Sequence, residues 1–264
     1  MAAQILEAYD YYYNQLNYNY NPDYDPRKIV GDNYADINER FYGNNDVKGP
    51  DAKHGTHVAG IIGAIRNNAT GMDGVADHVK IMIVRAVPDG DERDKDVANS
   101  IRYAVDNGAK IINMSFGKSF SPEKAWVDSA IRYAEQKDVL LIHASGNDAE
   151  NLDSVENFPN PWLSPWKTFA KNYITVGASS DLSLGPSLAA DFSSYGKTQV
   201  DLFAPGVKIY STIPGGNNYG NLKGTSMATP IVTGIAAILK SYFPHLTAIE
   251  IKNIIEQSVF KPEA

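Results

Sequence analysis

The chain has 264 residues, 43% hydrophobic and 21% charged, enough for one large α/β domain with a buried core. Its 31 acidic and 24 basic residues leave a net charge of −7, which argues against a nucleic-acid groove or an anionic membrane surface as the main partner. The absence of cysteine excludes a disulfide scaffold, a thiolate nucleophile and any cysteine-ligated metal. No window approaches the roughly eighteen consecutive apolar residues that mark a membrane span. The N-terminus, MAAQILEAYDYYYNQ, lacks the basic and purely apolar regions of a signal peptide, so an export signal, if there is one, lies outside this chain.

Residues 1–50 differ from the rest: they hold nine of the sixteen tyrosines and a thick scatter of Asn and Asp. Ala2 to Leu16 reads as a short helix, and Asn21-Pro22, Asp25-Pro26 and the run from Gly31 to Pro50 read as turns and loop. The tyrosines suit an extension that buries rings against a domain. From residue 51 to 264 no linker or repeat interrupts an alternation of helix and strand, read as one domain.

HGTHVAGIIGAI sets Val58, Ile61, Ile62 and Ile65 at helical spacing with small residues between them. Strands follow at Val79 to Val87, Ala109 to Met114 and Val139 to Ala144. Helices lie between them at Asp94 to Asn107, closed by Gly108, and at Pro122 to Gln136. The near-continuous apolar runs, without strict alternation, mark strands buried on both faces of a parallel sheet. Short strands are expected at Tyr173 to Gly177, Val200 to Phe203 and Lys208 to Ile213, then a turn at Gly215-Gly216. A helix from Ser226 to Tyr242, apolar nearly all round, belongs in the core, and an amphipathic helix covers Ala248 to Ser258. The fold class is α/β, a three-layer, doubly wound, mostly parallel sheet with helices on both faces.

Ser226 is the most informative residue. It follows Gly224-Thr225 and opens a buried helix, where the helix N-terminus favours developing negative charge. Pro230, inside the first helical turn, makes the segment more constrained than an N-cap serine requires. His54 is a candidate general base. His54 and His57 stand three apart, but the intervening glutamate of a zinc protease is missing and no acidic residue completes a site. His78, His143 and His245 read as structural. Asn147, in the turn after the strand VLLIHA, sits where parallel sheets form their ligand crevice and can donate to an oxyanion. G-x-S-x-G is absent, which excludes the nucleophile motif of the α/β-hydrolases.

The segments HGTHVAGIIGA, ASGN and GTSMATPIVTGIAA, in that order, closely resemble the subtilisin-like serine proteases. The stretch YNP…DPR…VGDNY…YGNNDV…GPDA is similar to an insertion in a branch of that family from Bacteroidetes-type bacteria. The resemblance implies a serine endopeptidase acting through an acyl-enzyme, with Ser226 as nucleophile, His54 as proton carrier, and Asn147 with the Ser226 backbone N–H as oxyanion hole. It further implies that Ser115, Phe116 and Gly117, and Ala144, Ser145 and Gly146, form the walls of a cleft that takes a polypeptide as an extended strand. A secreted or cell-envelope location is implied as well. No cofactor is required for the chemistry. A structural calcium ion is compatible with the Asn/Asp-rich residues 31–51, where ordinary turn chemistry is the simpler reading.

One departure stands out: the family begins its domain with an apolar strand ending in Asp-Ser-Gly or Asp-Thr-Gly, and this chain has no such sequence. Asp32 in KIVGDN is the nearest stand-in. The reading is therefore of a chain whose Asp-bearing strand lies upstream, leaving a gap in the sheet or another segment to fill it, residues 28 to 34 being the nearest candidates. A cleft that binds peptides without cutting them is the alternative function. Because the presumed P1 walls, SFG and ASG, offer small residues and no carboxylate, medium or large apolar P1 side chains are expected.

Overall fold

The computed structural model describes residues 2–261 apart from Pro22, Asp89, Asp91 and 184–186. Its helices are α1 (Ala2–Asn14), α2 (Lys53–Gly63), α3 (Asp94–Asp106), α4 (Lys124–Gln136), α5 (Thr225–Tyr242) and α6 (Ala248–Ser258). Four parallel strands, β1 (Ile111–Met114), β2 (Leu140–Ala144), β3 (Tyr173–Ser179) and β4 (Leu202–Pro205), lie side by side in that order. Ile112 pairs with Leu141, Ile142 with Ile174, and Val176 with Leu202.

Every residue of β2 is buried, and successive side chains leave opposite faces of the sheet. Leu141 joins Val97, Ile101, Val127, Ile131 and Tyr173 in a core under α3 and α4. Leu140 and Ile142 join Ile174, Val176, Ala228, Val232 and Ile251 under α5 and α6. This is why VLLIHA reads as an unbroken apolar run. Full burial of each such side chain contributes about 1.5–3 kcal/mol. The result is the three-layer arrangement expected from the sequence.

A third core joins Val58 and Ile61 of α2 to Met227 of α5. The small residues of HVAGIIGA permit close packing on another side of α2, against residues 211–212: a Cβ on Gly60 would stand 2.2 Å from Thr212 Oγ1. The stripe of α2 is shorter than its spacing suggests, because the helix ends at Gly63 and Ile65 is 75% exposed. β5 (Ile209–Ile213) and β6 (Asn218–Leu222) form an antiparallel hairpin around Gly215-Gly216. Its second strand, rich in Asn and Gly, carries no apolar pattern to announce it.

The expected strand from Val79 to Val87 is not one. No ladder joins this stretch to any described residue, and Ile81, Met82 and Ile83 are each more than 40% exposed. The outer edge of β1 also has no strand beside it among the described residues. An apolar run becomes a strand only where a neighbour satisfies its backbone groups. Residues 28 to 34 do not supply one, because Arg27–Val30 is a single helical turn ended by Gly31.

The N-terminal segment is fastened to α3 mainly by charge. Arg27 forms a fork with Asp96, Nη1 to Oδ2 at 2.7 Å and Nη2 to Oδ1 at 2.9 Å, and Tyr42 donates to Asp96 at 2.6 Å. The rings of Tyr34 and Tyr42 lie under the Arg27 guanidinium. The burial expected of the tyrosines holds for only some of them: Tyr9, Tyr12 and Tyr20 are all more than 60% exposed.

Candidate active site

α5 begins without a cap of its own. Gly224 precedes it at φ 141°, a conformation that favours glycine, and the first backbone N–H groups of a helix lack intrahelical partners. Asn147, from the turn after β2, supplies the cap across the fold. Its Oδ1 accepts from Thr225 N at 2.9 Å and from Thr225 Oγ1 at 3.1 Å. The backbone N–H of Gly146 donates to the same Thr225 hydroxyl at 3.3 Å. Because Oδ1 must be the acceptor, the orientation of the amide is settled, and Nδ2 remains a donor on an exposed residue. Neither Asn147 Nδ2 nor Ser226 N bonds another protein group among the described residues.

Ser226 is half-buried one residue into α5. Its Oγ donates to the Ser115 carbonyl at 3.1 Å, and Ser115 Oγ donates to the Ser226 carbonyl at 2.9 Å. The second bond exists because Pro230, four residues on, has no N–H to offer that carbonyl. Pro230 thus stands in the second turn of the helix, one turn later than the sequence suggests. Behind this pair, Asn113 Nδ2 donates to Ser115 Oγ at 2.9 Å and Thr233 Oγ1 to Asn113 Oδ1 at 2.9 Å. β1 and α5 are thereby tied together through side chains that the sequence reading did not single out.

His54 lies in the first turn of α2, solvent-exposed and without a hydrogen bond to Ser226 or to any carboxylate among the described residues. Partial loss of hydration and the neighbouring His57 lower its pKa, against an opposing pull from Asp51. His57, three residues on, is fully buried, and its Nε2–H is shared between the carbonyls of Ile209 and Gly220 at 3.0 and 3.1 Å. That hairpin contact commits His57 to structure and leaves His54 as the free imidazole. His143 is also buried, donating through Nε2 to the Phe116 carbonyl at 2.7 Å and so linking the two segments expected to form the cleft.

Asp32 does not serve His54. Its Oδ1 accepts from Arg27 Nε at 2.6 Å and its Oδ2 from Lys95 Nζ at 2.9 Å, with the carboxylate fully buried. Burial would raise its pKa, but hydrogen bonds and charge from Arg27 and Lys95 outweigh it and hold the carboxylate below its ordinary value. Lys95 also donates to Glu39 and to the Asn33 carbonyl. Several Asn and Asp side chains of residues 31–51 are spent on local turns: Asn33 accepts from Ala35 N, Asp36 from Asn38 N, and Asp46 from Lys48 N and Gly49 N. No group of three or more His, Asp or Glu converges as a metal site among the described residues.

A parallel sheet between two helical layers, with a serine opening the central helix and an amide reaching over from a strand end to cap it, places the chain in the class of subtilisin-like α/β folds. The model of the subtilase family matches residues 10–263, and the chain belongs to that family. It is 39% identical over 242 residues to a thermophilic serine proteinase of Bacillus sp. strain AK1, covering 91% of this chain and 53% of that protein. It is 37% identical to thermitase of Thermoactinomyces vulgaris, covering 80% and 72%. Among solved structures, a mutant form of the protease domain of PatA superposes with a TM-score of 0.67 at 30% identity, covering 83% of this chain and 77% of that one. Sphericase gives 0.66 at 30%, covering 78% and 68%. The chain thus spans about half the length of the Bacillus relative. Among the described residues no helix is long and apolar enough to cross a membrane.

Proposed function

We propose that this chain carries the catalytic residues of a secreted or cell-envelope serine endopeptidase. Ser226 Oγ attacks the peptide carbonyl while His54 removes its proton and later returns it to the leaving amine. Asn147 Nδ2 and the Ser226 N–H receive the oxyanion. The observation that carries this reading is the capping of α5 by Asn147 Oδ1, which leaves both donors unclaimed beside the serine. The peptide lies extended between Ser115–Gly117 and Ala144–Gly146, and the chemistry requires no cofactor. A relative at 36% identity is named a cell wall-associated protease of Bacillus subtilis, which agrees with the proposed location.

His54 needs a carboxylate to fix its tautomer and stabilise its cation, and Asp32 is committed to Arg27 and Lys95. The active form therefore includes an Asp-bearing strand that pairs with the two unpaired edges, residues 79–87 and β1. A second reading, peptide binding without cleavage, is favoured by one observation: Ser226 Oγ bonds to the Ser115 carbonyl and not to His54. Hydrolysis of casein by this chain, compared with the same chain joined to an upstream Asp-bearing strand, separates the two. Turnover gained with the strand and abolished by Ser226→Ala is expected. Peptide binding without turnover in either form would establish the second reading.

A further inference from the structure

α3 packs on the sheet and runs back into β1 through a short connection, residues 107–110, so the start of α3 stands level with the end of β1. That is the side of the sheet on which Ser115–Gly117 and Ser226 lie. Lys118, the next residue after that wall, ties the two together: its Nζ donates to the Glu92 carbonyl at 2.7 Å and pairs with Asp94 at 2.8 Å. Beyond this tie the N-terminal segment and the start of α3 enclose an open cavity of about 710 Å³, lined by Tyr18, Tyr20, Tyr24, Tyr34 and Arg93 among others. Several of its rings are held in place. Tyr18 and Tyr24 meet edge to face at 5.0 Å, and Tyr34 lies 5.4 Å from the Arg27 guanidinium and 5.8 Å from Trp126. The acidic side chains in the first turn of α3 are spent within the protein, Asp94 on Lys118 and Asp96 on Arg27 and Tyr42. Arg93 is exposed, and its guanidinium forms no hydrogen bond or ion pair among the described residues.

We infer that this cavity is an exosite for the polypeptide substrate, taking an aromatic side chain upstream of the residues held between the cleft walls. This rests on the cleft proposed above. A peptide extended from Ser226 along Ser115–Gly117 is carried toward Lys118, and its next residues reach the tyrosine-lined space. Tyrosine faces and edges favour a further ring in offset or edge-to-face contact, and a guanidinium stacks on such a ring while donating to carbonyls beside it. A volume between about 300 and 1,000 Å³ is typical of a specific ligand site. The exosite also gives a role to Tyr20, which is 72% exposed in the free chain. Continuity with the cleft favours a peptide over a glycan, which the same rings also suit.

The test reads binding, so that it does not depend on turnover. Two N-acetylated octapeptide acids share their four C-terminal residues and differ in the upstream four, Gly-Tyr-Trp-Gly in one and Gly-Ser-Ser-Gly in the other; both are titrated into the chain by calorimetry. The aromatic peptide should bind at least tenfold more tightly. Arg93→Ala and Tyr20→Ala, both at exposed positions, should each reduce that preference threefold or more, with circular dichroism confirming that the variants are folded. Equal affinities for the two peptides would overturn the inference, as would an unchanged preference in both variants or no binding of either peptide. So would binding of the aromatic tetrapeptide alone as tightly as the octapeptide, which would detach the cavity from the cleft. Binding of cellohexaose, weakened in both variants, with no preference between the peptides would assign the cavity to a glycan and overturn it too. Aromatic preference as expected, in a protein that hydrolyses neither peptide even with its Asp-bearing strand, would support the inference while overturning the endopeptidase reading. Equal affinities in a protein that hydrolyses both would do the reverse.

Discussion

Ser115 and Ser226 exchange hydrogen bonds: each hydroxyl donates to the other residue's backbone carbonyl, at 2.9 and 3.1 Å. Through this pair the edge of the parallel sheet locates the first turn of α5. Pro230 makes the arrangement possible by freeing the Ser226 carbonyl, and Asn113 satisfies the Ser115 hydroxyl from behind.

Ser115→Ala leaves the Ser226 carbonyl and the Asn113 amide without their partner in a half-buried site. The expected loss of stability is about 1–3 kcal/mol, measured as a lower urea midpoint at unchanged slope. Replacing Pro230 with Ala in the same background should recover part of it, because the restored N–H satisfies the carbonyl within the helix.

Two changes at Asn147 separate its two roles. Asn147→Ala removes both the cap on Thr225 and the free donor, so about 1 kcal/mol of stability is lost together with turnover. Asn147→Asp keeps an acceptor for Thr225 and loses only the donor, so stability is held while turnover falls. The fall should be about 10²- to 10³-fold, a magnitude that comes from subtilisin itself rather than from this geometry. Thermal melts and peptide hydrolysis by the strand-completed form check the pair.

Stability should decline as pH falls from about 6.5. Burial drives the His143 pKa down to about 4, against the opposing pull of the Phe116 carbonyl, and burial lowers that of His57 as well. Below the unfolded-state value near 6.5 the unfolded chain takes up protons that the folded chain does not. Stability is therefore complete above pH 6.5 and lost progressively down to pH 4, with a slope of up to about 1.4 kcal/mol per pH unit for each such histidine. Urea midpoints at pH 7.5, 6, 5 and 4 measure the slope. It should flatten in His143→Gln, which keeps a donor for Phe116 but does not titrate.

Lys95→Met leaves the buried Asp32 carboxylate with Arg27 alone and removes one donor from Glu39, which keeps the Asn33 N–H. Breaking a buried ion pair on one side costs about 3 kcal/mol. Because this network fastens residues 27–42 to α3, the variant should also be cleaved faster within that segment by limited proteolysis.

The sheet, the helices of both layers and the family were legible in the sequence, because burial on both faces of a parallel strand appears directly as runs such as VLLIHA and because caps and turns are local. The same logic misled at residues 79–87, which have the composition of an inner strand. Composition records what a segment buries when it is paired, and the described residues contain no partner for it. Asn218–Leu222 was missed for the opposite reason: its pairing rests on backbone bonds to Ile209–Ile213 and not on apolar side chains.

The candidate site divides in the same way. The sequence alone determined that a serine opens an apolar helix, that a histidine heads another and that an amide follows a buried strand, since each is a short motif with its own local geometry. Only the tertiary structure decided that His57 is spent on the β5–β6 hairpin, that Asp32 answers Arg27 and Lys95, and that Asn147 turns its oxygen to Thr225. Most of these are partnerships between groups tens of residues or more apart, and a hydrogen bond's direction depends on which partner the packing brings within reach, which no local pattern encodes.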